Sequence, residues 1–299
     1  MMTNSKSLTN KIDFAVIISV KRANPNGDPL NGNRPRQTYD GFGEISDVCL
    51  KRKIRNRLQD MGESIFVQSD DNRAPGDEFR SLNDRFKAAK LEDTRSDSCK
   101  KWFDVRAFGQ VFAFKSKKKE DGEGSDSVSV GIRGPVTIQS AFSVEPITPD
   151  SLQITKSVNL ETNKKEPDKK GSDTMGMKHR VEKGIYVTYG AINTQLASKT
   201  GFSDDDAEQI KRALRTLFVN DVSSARPEGS MEVVKVIWWS HNSPCGQYSS
   251  AEIHQRSLSV KADGTYELKP LTGLTPEELD PLEGEDLEKL CKCDSASEH

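Results

Sequence analysis

Disulfides, membrane-spanning runs and the common catalytic signatures are all missing from this 299-residue chain. Its cysteines, Cys49, Cys99, Cys245, Cys291 and Cys293, are scattered and odd in number. They define no disulfide framework, and the expected setting is a reducing, cytoplasmic one. Cys291-Lys292-Cys293 is too close-spaced for a zinc knuckle and has no second pair beside it. No apolar run reaches the ~18 residues of a membrane helix candidate, and the opening MMTNSKSLTNK lacks the apolar core of a secretory signal. The four histidines, His179, His241, His254 and His299, form no H-E-x-x-H or Cys/His metal spacing. Neither G-x-S-x-G nor a P-loop occurs, so no cofactor, metal or catalytic centre is expected. Aromatic residues make up only 7% of the chain and form no RNP1-like motif. The sheet face is therefore not expected to be the main surface for stacking RNA bases.

Charge is abundant instead, at 30% of residues. The net charge of −2 hides an asymmetry: residues 270–299 hold nine Asp or Glu against two Lys, and the rest carries +5. Binding depends on the local field, so a near-neutral total leaves room for a phosphate-tracking groove.

The element pattern predicts an α+β fold. Phe14 to Ile18 is a short apolar, β-branched run, and a strand is expected from about Asp13 to Lys21. Ser46 or Asp47 can cap a helix whose core stripe is Leu50, Ile54 and Leu58. Strands are expected around Phe103 to Phe114, across Ser127 to Ser143 with breaks at Gly131 and Gly134-Pro135, and from Gly184 to Ala191. A second helix starts at Ser203, with Asp204, Asp205 and Asp206 in its first turn and a stripe of Ile210, Leu214, Leu217 and Phe218. A final strand runs from Val233 to Trp239. This order resembles the split βαβ, ferredoxin-like arrangement of RNA-recognition domains. Three polar insertions exceed it, at 68–101, 115–126 and 155–183, each long for a simple connection. Trp102, Phe103, Trp238 and Trp239 read as core or edge residues, and Lys115 to Lys119 as a hairpin tip.

One break stands out. After the first strand comes Asn24-Pro25-Asn26-Gly27-Asp28-Pro29, then Asn31-Gly32-Asn33. Proline cannot donate to a ladder and Asn-Gly favours positive φ, so the chain leaves the sheet here. The loop carries Lys21, Arg22, Arg34 and Arg36 and leads into a helix in which five of residues 51 to 57 are basic. At about 100° per residue, Lys51 and Arg55 share a flank, with Arg52 beyond them, and Lys53 and Arg57 lie opposite. Arg22, Arg34, Arg36, Lys51 and Arg55 can thus line one groove, where guanidinium forks and ammonium charges suit phosphates. His179, in a basic pre-strand segment, can stack on a base or act as an acid–base group.

The block NPNGDPLNGNRPRQTYDGFGEISDVCLKRKIRNRL resembles the repeated backbone subunit, of the RAMP superfamily, of type I-C CRISPR Cascade complexes. FDVRAFGQVFAF, GIRGPVTIQSAFSVEPI, MGMKHRVEKGIYVTYGAIN, GFSDDDAEQIKRALRTLF and VVKVIWWSHNSP follow in that family's order, over roughly residues 11 to 242. The resemblance implies an RRM-like palm (about 11–67, 102–154 and 184–242), a fingers insertion (68–101) and a thumb insertion (155–183), before a variable acidic segment (249–299). It implies a non-catalytic subunit that stacks head to tail along a CRISPR guide RNA (crRNA), beside other Cascade subunits, and presents the guide for pairing with target DNA. It further implies RNA contacts from Arg22, Asn24, Asn26, Arg34, Arg36, Lys51, Arg52, Arg55, Arg133, Lys156, Ser157, Met175 and His179, with Asn and Gly allowing close backbone approach and the thumb displacing a nucleotide at intervals. Met175 and Met177 would offer adaptable apolar contact to displaced bases. Three alternatives stay open: an RNA-guided endoribonuclease using Asp28 or Asp40, a guide-precursor processing nuclease, and a protein-only scaffold.

Overall fold

The computed structural model describes residues 7–113, 129–155 and 175–290. Lys156, Ser157, the Lys115 to Lys119 run and the Cys291/Cys293 pair lie outside these residues. In chain order the elements are β1 (Ile12–Ala23), β2 (Gly27–Asp28), β3 (Arg34–Pro35), β4 (Phe42–Ile45), α1 (Asp47–Asp60), α2 (Leu82–Ala89), α3 (Thr94–Lys101) and α4 (Phe103–Phe108). They continue with β5 (Gly109–Ala113), β6 (Ser129–Arg133), β7 (Val136–Ile138), β8 (Ala141–Pro146), β9 (Pro149–Thr155), β10 (Met175–Ile192), α5 (Thr194–Thr200) and α6 (Asp204–Arg215). The last are β11 (Met231–Ser240), α7 (Ser250–Arg256), β12 (Leu258–Val260), β13 (Tyr266–Leu268), β14 (Glu277–Leu279) and α8 (Gly284–Leu290).

The fold is α+β around one antiparallel sheet in the order β14-β11-β1-β10-β8-β4, with β7 and β9 also pairing with β10. β1 is central, in register with β10 from Ile12↔Ile192 to Ala23↔Val181 and with β11 from Ile12↔Ser240 to Val20↔Met231. Its unbroken apolar run follows, because both of its faces are covered. Phe14, Val16, Ile18 and Val20 pack under Leu50, Ile54 and Leu58 of α1 and Ile210 and Leu214 of α6. Each such fully buried side chain contributes about 1.5–3 kcal/mol. On the reverse face, Ala15, Ile237 and Trp239 meet Ile253, Leu258 and Leu274. Residues 249–274, the first part of the stretch expected to be a variable acidic segment, thus form a cap on the second face of the sheet.

Local chemistry fixes the two main helices. Ser46 caps α1 by accepting from the Cys49 N–H, and Ser203 with Asp206 forms a reciprocal capping box at α6. α6 ends at Arg215, so Leu217 and Phe218 lie past it, although Leu217 is buried.

Three expectations change. Phe103 to Phe108 is helix α4 rather than strand, and Gly109, at φ 79°, turns the chain into β5. Phe103 and Ala107, one helical turn apart, reach the main core, while Val105 joins a second cluster with Phe66, Cys99, Trp102, Phe112 and Ile132. That cluster, with Phe86 and Leu91 against it, gives the 68–101 insertion a small core of its own. Gly131 continues β6, and the region breaks at Gly134-Pro135 and again at Gln139-Ser140, between β7 and β8. The fourth strand begins at Met175, nine residues before the expected Gly184. Its first half pairs with β9, from Met175↔Thr155 to Val181↔Pro149, as a two-stranded arm. Among the described residues no helix is long and apolar enough to cross a membrane.

Candidate nucleic-acid interface

The loop after β1 is a braced structure. Asp28 accepts from the Leu30 N–H at 3.1 Å, and the Asn33 N–H donates to the Asp28 carbonyl at 2.8 Å. Gly32 and Asn33 take the positive φ values that close the turn, 58° and 60°. Gly27 pairs with Pro35 in the short β2–β3 ladder, and a Cβ there would run into the Asn33 side chain.

The two asparagines have architectural partners. Asn24 is buried and donates to the Asn33 carbonyl at 2.7 Å. Asn26 Oδ1 accepts from the Ser46 N–H at 2.9 Å and from the Ser46 hydroxyl at 2.8 Å. Since Ser46 caps α1, Asn26 locks the loop onto the start of the basic helix. Asp28, one of the two acids near the loop, serves as a turn cap.

The loop meets the root of the arm. β3 packs beside β10, and Arg22 bonds Glu182 at 2.7 Å. Arg180 lies 3.4 Å from Asp150 and 3.6 Å from Glu182. Arg22 sits at φ 54°, a conformation non-glycine residues seldom adopt. The Glu182 carboxylate is held below its usual range by its hydrogen bond with Arg22, although both groups face solvent. Arg34 is exposed, and Arg36 lies 3.8 Å from Asp28.

Along the arm, Met175, Met177 and His179 alternate on one face, opposite Thr155, Gln153 and Ser151. Met175 and Met177 are exposed, and His179 Nδ1 lies 2.8 Å from the Ser151 hydroxyl. Arg133 ends β6, in the separate ladder with β5, and is exposed.

Helix α1 divides its cations unequally. Lys51 pairs with Asp47 at 3.0 Å and stays partly exposed. Arg55 is bound into the protein: its Nε lies 2.9 Å from the fully buried Asp104, and its guanidinium stacks 5.1 Å from the Phe108 ring. Asp104 also accepts from the Phe66 and Val67 N–H groups, so it ties α1, α4 and the start of the 68–101 insertion together. Arg55→Ala is therefore expected to cost about 3 kcal/mol of stability, whereas Lys51→Ala is expected to change it by less than about 1 kcal/mol. Urea unfolding of the two variants checks this, and equal midpoints would contradict the pairing.

The far flank of α1 borders a cavity of about 550 Å³ lined by Arg52, Lys53, Arg57, Asp221 and Arg226 among others. Its cations are engaged as well. Arg52 donates to the Val67 carbonyl at 2.6 Å, Lys53 bonds Asp221, and Arg57 bonds Asp60 at 2.7 Å. Burial pushes the Lys53 ammonium below its ordinary value, against the pull of Asp221.

Of the sequence-derived candidates, the structure gathers Arg22, Asn24, Asn26, Arg34, Arg36 and Lys51 around the braced loop, and Arg180 joins them from the arm root. Sequence reasoning missed Arg180 and Glu182 as partners, because the strand pairing that brings them to Arg22 spans about 160 residues. Arg52 and Arg55 instead hold the helix to its neighbours.

An antiparallel α+β sheet with a braced, basic loop and a strand-built arm is the class this chain falls in. The chain belongs to the CRISPR-associated protein Cas7 family, whose model matches residues 10–276. CRISPR-associated protein Cas7 of Haloferax volcanii is 27% identical over 213 residues, which cover 67% of this chain and 62% of that protein. The chain thus spans less than two thirds of that relative's length. A chain of a CRISPR RNA-guided surveillance complex in a pre-nicking state is similar at 15% identity and TM-score 0.44, over 77% of this chain and 78% of that one. A chain of another CRISPR RNA-guided surveillance complex is similar at 16% identity and TM-score 0.41, over 77% and 68%.

Proposed function

We propose that this chain is a non-catalytic, guide-RNA-binding backbone subunit of a type I-C Cascade-type CRISPR effector complex. In this reading copies of the chain stack head to tail along one crRNA, beside other Cascade subunits, and hold the guide so that its bases can pair with target DNA. The observation that carries it, in a member of the Cas7 family, is the basic rim where the braced loop, the first turn of α1 and the root of the arm meet. Asn24, Asn26 and Ser46 stiffen the loop, so its cations meet a strand with little ordering cost.

The sheet order β11-β1-β10-β8, with α1 and α6 on one face, supports reading the centre as a ferredoxin-like palm. The 68–101 insertion with its own small core suits the fingers role, and the β9–β10 arm suits the thumb, with Met175, Met177 and His179 facing the strand. Arg133, Lys156 and Ser157 complete the proposed contacts; the last two lie outside the described residues.

Phosphate contacts position a strand without reading it. Two unrelated guides of equal length should therefore bind within a factor of ten, about 1.4 kcal/mol. Filter-binding titrations with both guides check this, and a larger gap would point to base reading. The reading as a whole is tested by purifying the protein from cells that express a guide. Co-eluting RNA protected in regular length increments is expected; protein that neither carries nor retards RNA would leave a protein-only scaffold.

A further inference from the structure

The match to the family model ends at residue 276. The next residues lie along a row of cations. Glu277 carboxylate oxygens are 3.2 and 3.4 Å from Lys211 Nζ, and Asp280 Oδ1 is 2.6 Å from Lys235 Nζ. The Asp280 carbonyl accepts from Arg215 Nε at 2.7 Å. Lys211 and Arg215 are one turn apart on α6, and Lys235 lies on the neighbouring strand β11. Glu208 also contacts Lys211, at 2.8 Å, and Arg212 is exposed on the same helix.

This segment is lightly attached. β14 pairs with β11 over only three residues, and α8 buries none of its side chains. Leu279 packs against the core, Tyr266 bonds Glu278, and Arg215 exchanges hydrogen bonds with the backbone of Asp280 and Leu282. The carboxylates of Glu277 and Asp280 are themselves exposed, and their ion pairs with the buried Lys211 and with Lys235 are open to screening by salt. Residues 277–290 contain seven Asp or Glu and one Lys. A short row of carboxylates along a row of Lys and Arg has the charge pattern of a phosphate backbone in the same place.

We infer that residues 277–283 form an acidic strap that occupies a second nucleic-acid-binding strip, built by Lys211, Arg212, Arg215 and Lys235 and distinct from the loop rim. The occupant is the sugar–phosphate backbone of a single strand. It competes with Glu277 and Asp280 for the same cations, and it reaches the strip once the strap lifts from the edge of β11.

The test compares the full chain with Glu277→Gln/Asp280→Asn and with a chain ended at Thr275, using a labelled oligouridylate at several salt concentrations. The shortened chain frees three cations and should steepen the salt dependence of log K by about 2, so that a fourfold rise in salt costs about 20-fold more affinity than in the full chain. The substituted chain, in which the Asp280 carbonyl still holds Arg215, frees two and should steepen it by about 1.4. Adding Lys211→Gln, Arg215→Gln and Lys235→Gln should return the strap variants to the full chain's slope. If neither strap variant steepens the slope, or if the steeper slope survives loss of the three cations, the inference is overturned. Failure of the loop-rim reading looks different: the full chain would then show no binding, while the strap variants would still acquire it. Absence of binding in every variant would overturn both.

Discussion

Replacing Asp13 by alanine is expected to cost about 3–5 kcal/mol of folding stability and to loosen the 249–274 cap from the sheet. Asp13 is fully buried near the start of β1. Its Oδ2 lies 2.8 Å from Lys11 Nζ and 2.9 Å from His241 Nε2. His241 Nδ1 accepts from the Gln247 N–H at 2.9 Å, so the ring proton sits on Nε2 and points at Asp13. His254, on α7, donates from Nε2 to the Gly190 carbonyl at 3.2 Å and holds the same nitrogen 3.2 Å from Asp13 Oδ1. One carboxylate thus joins β1, the end of β11 and the cap. Its removal leaves the buried His241 Nε2–H without an acceptor and the Lys11 ammonium without its counter-charge.

The same group sets a pH dependence. Burial alone would raise the Asp13 pKa, but hydrogen bonds from His241, His254, Lys11 and Ser250 together outweigh it and hold the carboxyl far below its ordinary 3.8. The depressed folded value stabilises the protein above the unfolded value, and this contribution drains away as pH falls below about 4, where the unfolded chain takes up the proton first. Asp13→Asn should lack this component. Denaturant melts at pH 6 and pH 3 should therefore show the gap between wild type and Asp13→Asn shrinking at the lower pH. A constant gap would mean that the carboxylate is not the group responsible.

None of this network was visible in the sequence, where Lys11 and Asp13 stand more than 200 residues from His241 and His254. Local signals did better. β1, α1 and α6 were legible because periodicity and cap agree at each: Leu50, Ile54 and Leu58 behind Ser46, and Ile210 and Leu214 behind Ser203. Phe103 to Phe108 was misread because Phe103, Val105 and Ala107 fit a two-residue period as well as a helical turn, and the competing helix is decided by tertiary contacts. The first half of β10 was missed because an arm with both faces accessible need not alternate apolar with polar residues. In the site, the Asn-Pro-Gly break correctly marked a structured loop. Composition could not tell that Asn26 would grip Ser46 or that Arg55 would be drawn to Asp104. On the flank of the basic helix expected to line the groove, Arg55 is spent on the buried Asp104 and Arg52 on the Val67 carbonyl, and Lys51 remains partly exposed.

The loop rim should therefore dominate RNA binding. Changing Arg22, Arg34, Arg36 and Lys51 together to glutamine is expected to weaken binding on the order of a hundredfold at low salt and to flatten the dependence of log K on log salt by about 3, from four lost single-strand phosphate contacts. The fold should hardly respond. All four side chains are at least partly exposed, their ion pairs with Glu182, Asp28 and Asp47 are surface pairs, and such pairs are each worth at most about 1 kcal/mol. Glutamine keeps most of the side-chain volume, and the loop bonds of Asn24, Asn26 and Ser46 are untouched. A charge-matched control replaces Lys87, Lys90, Lys100 and Lys199, exposed on other elements, by glutamine. If net charge alone governed binding, the two sets would lose affinity equally. A local groove predicts that only the loop set flattens the slope, because counterions are released where the strand touches. Salt titrations of both variants with one guide RNA, beside their melting curves, decide between the two. Equal slopes would move the RNA path away from the loop.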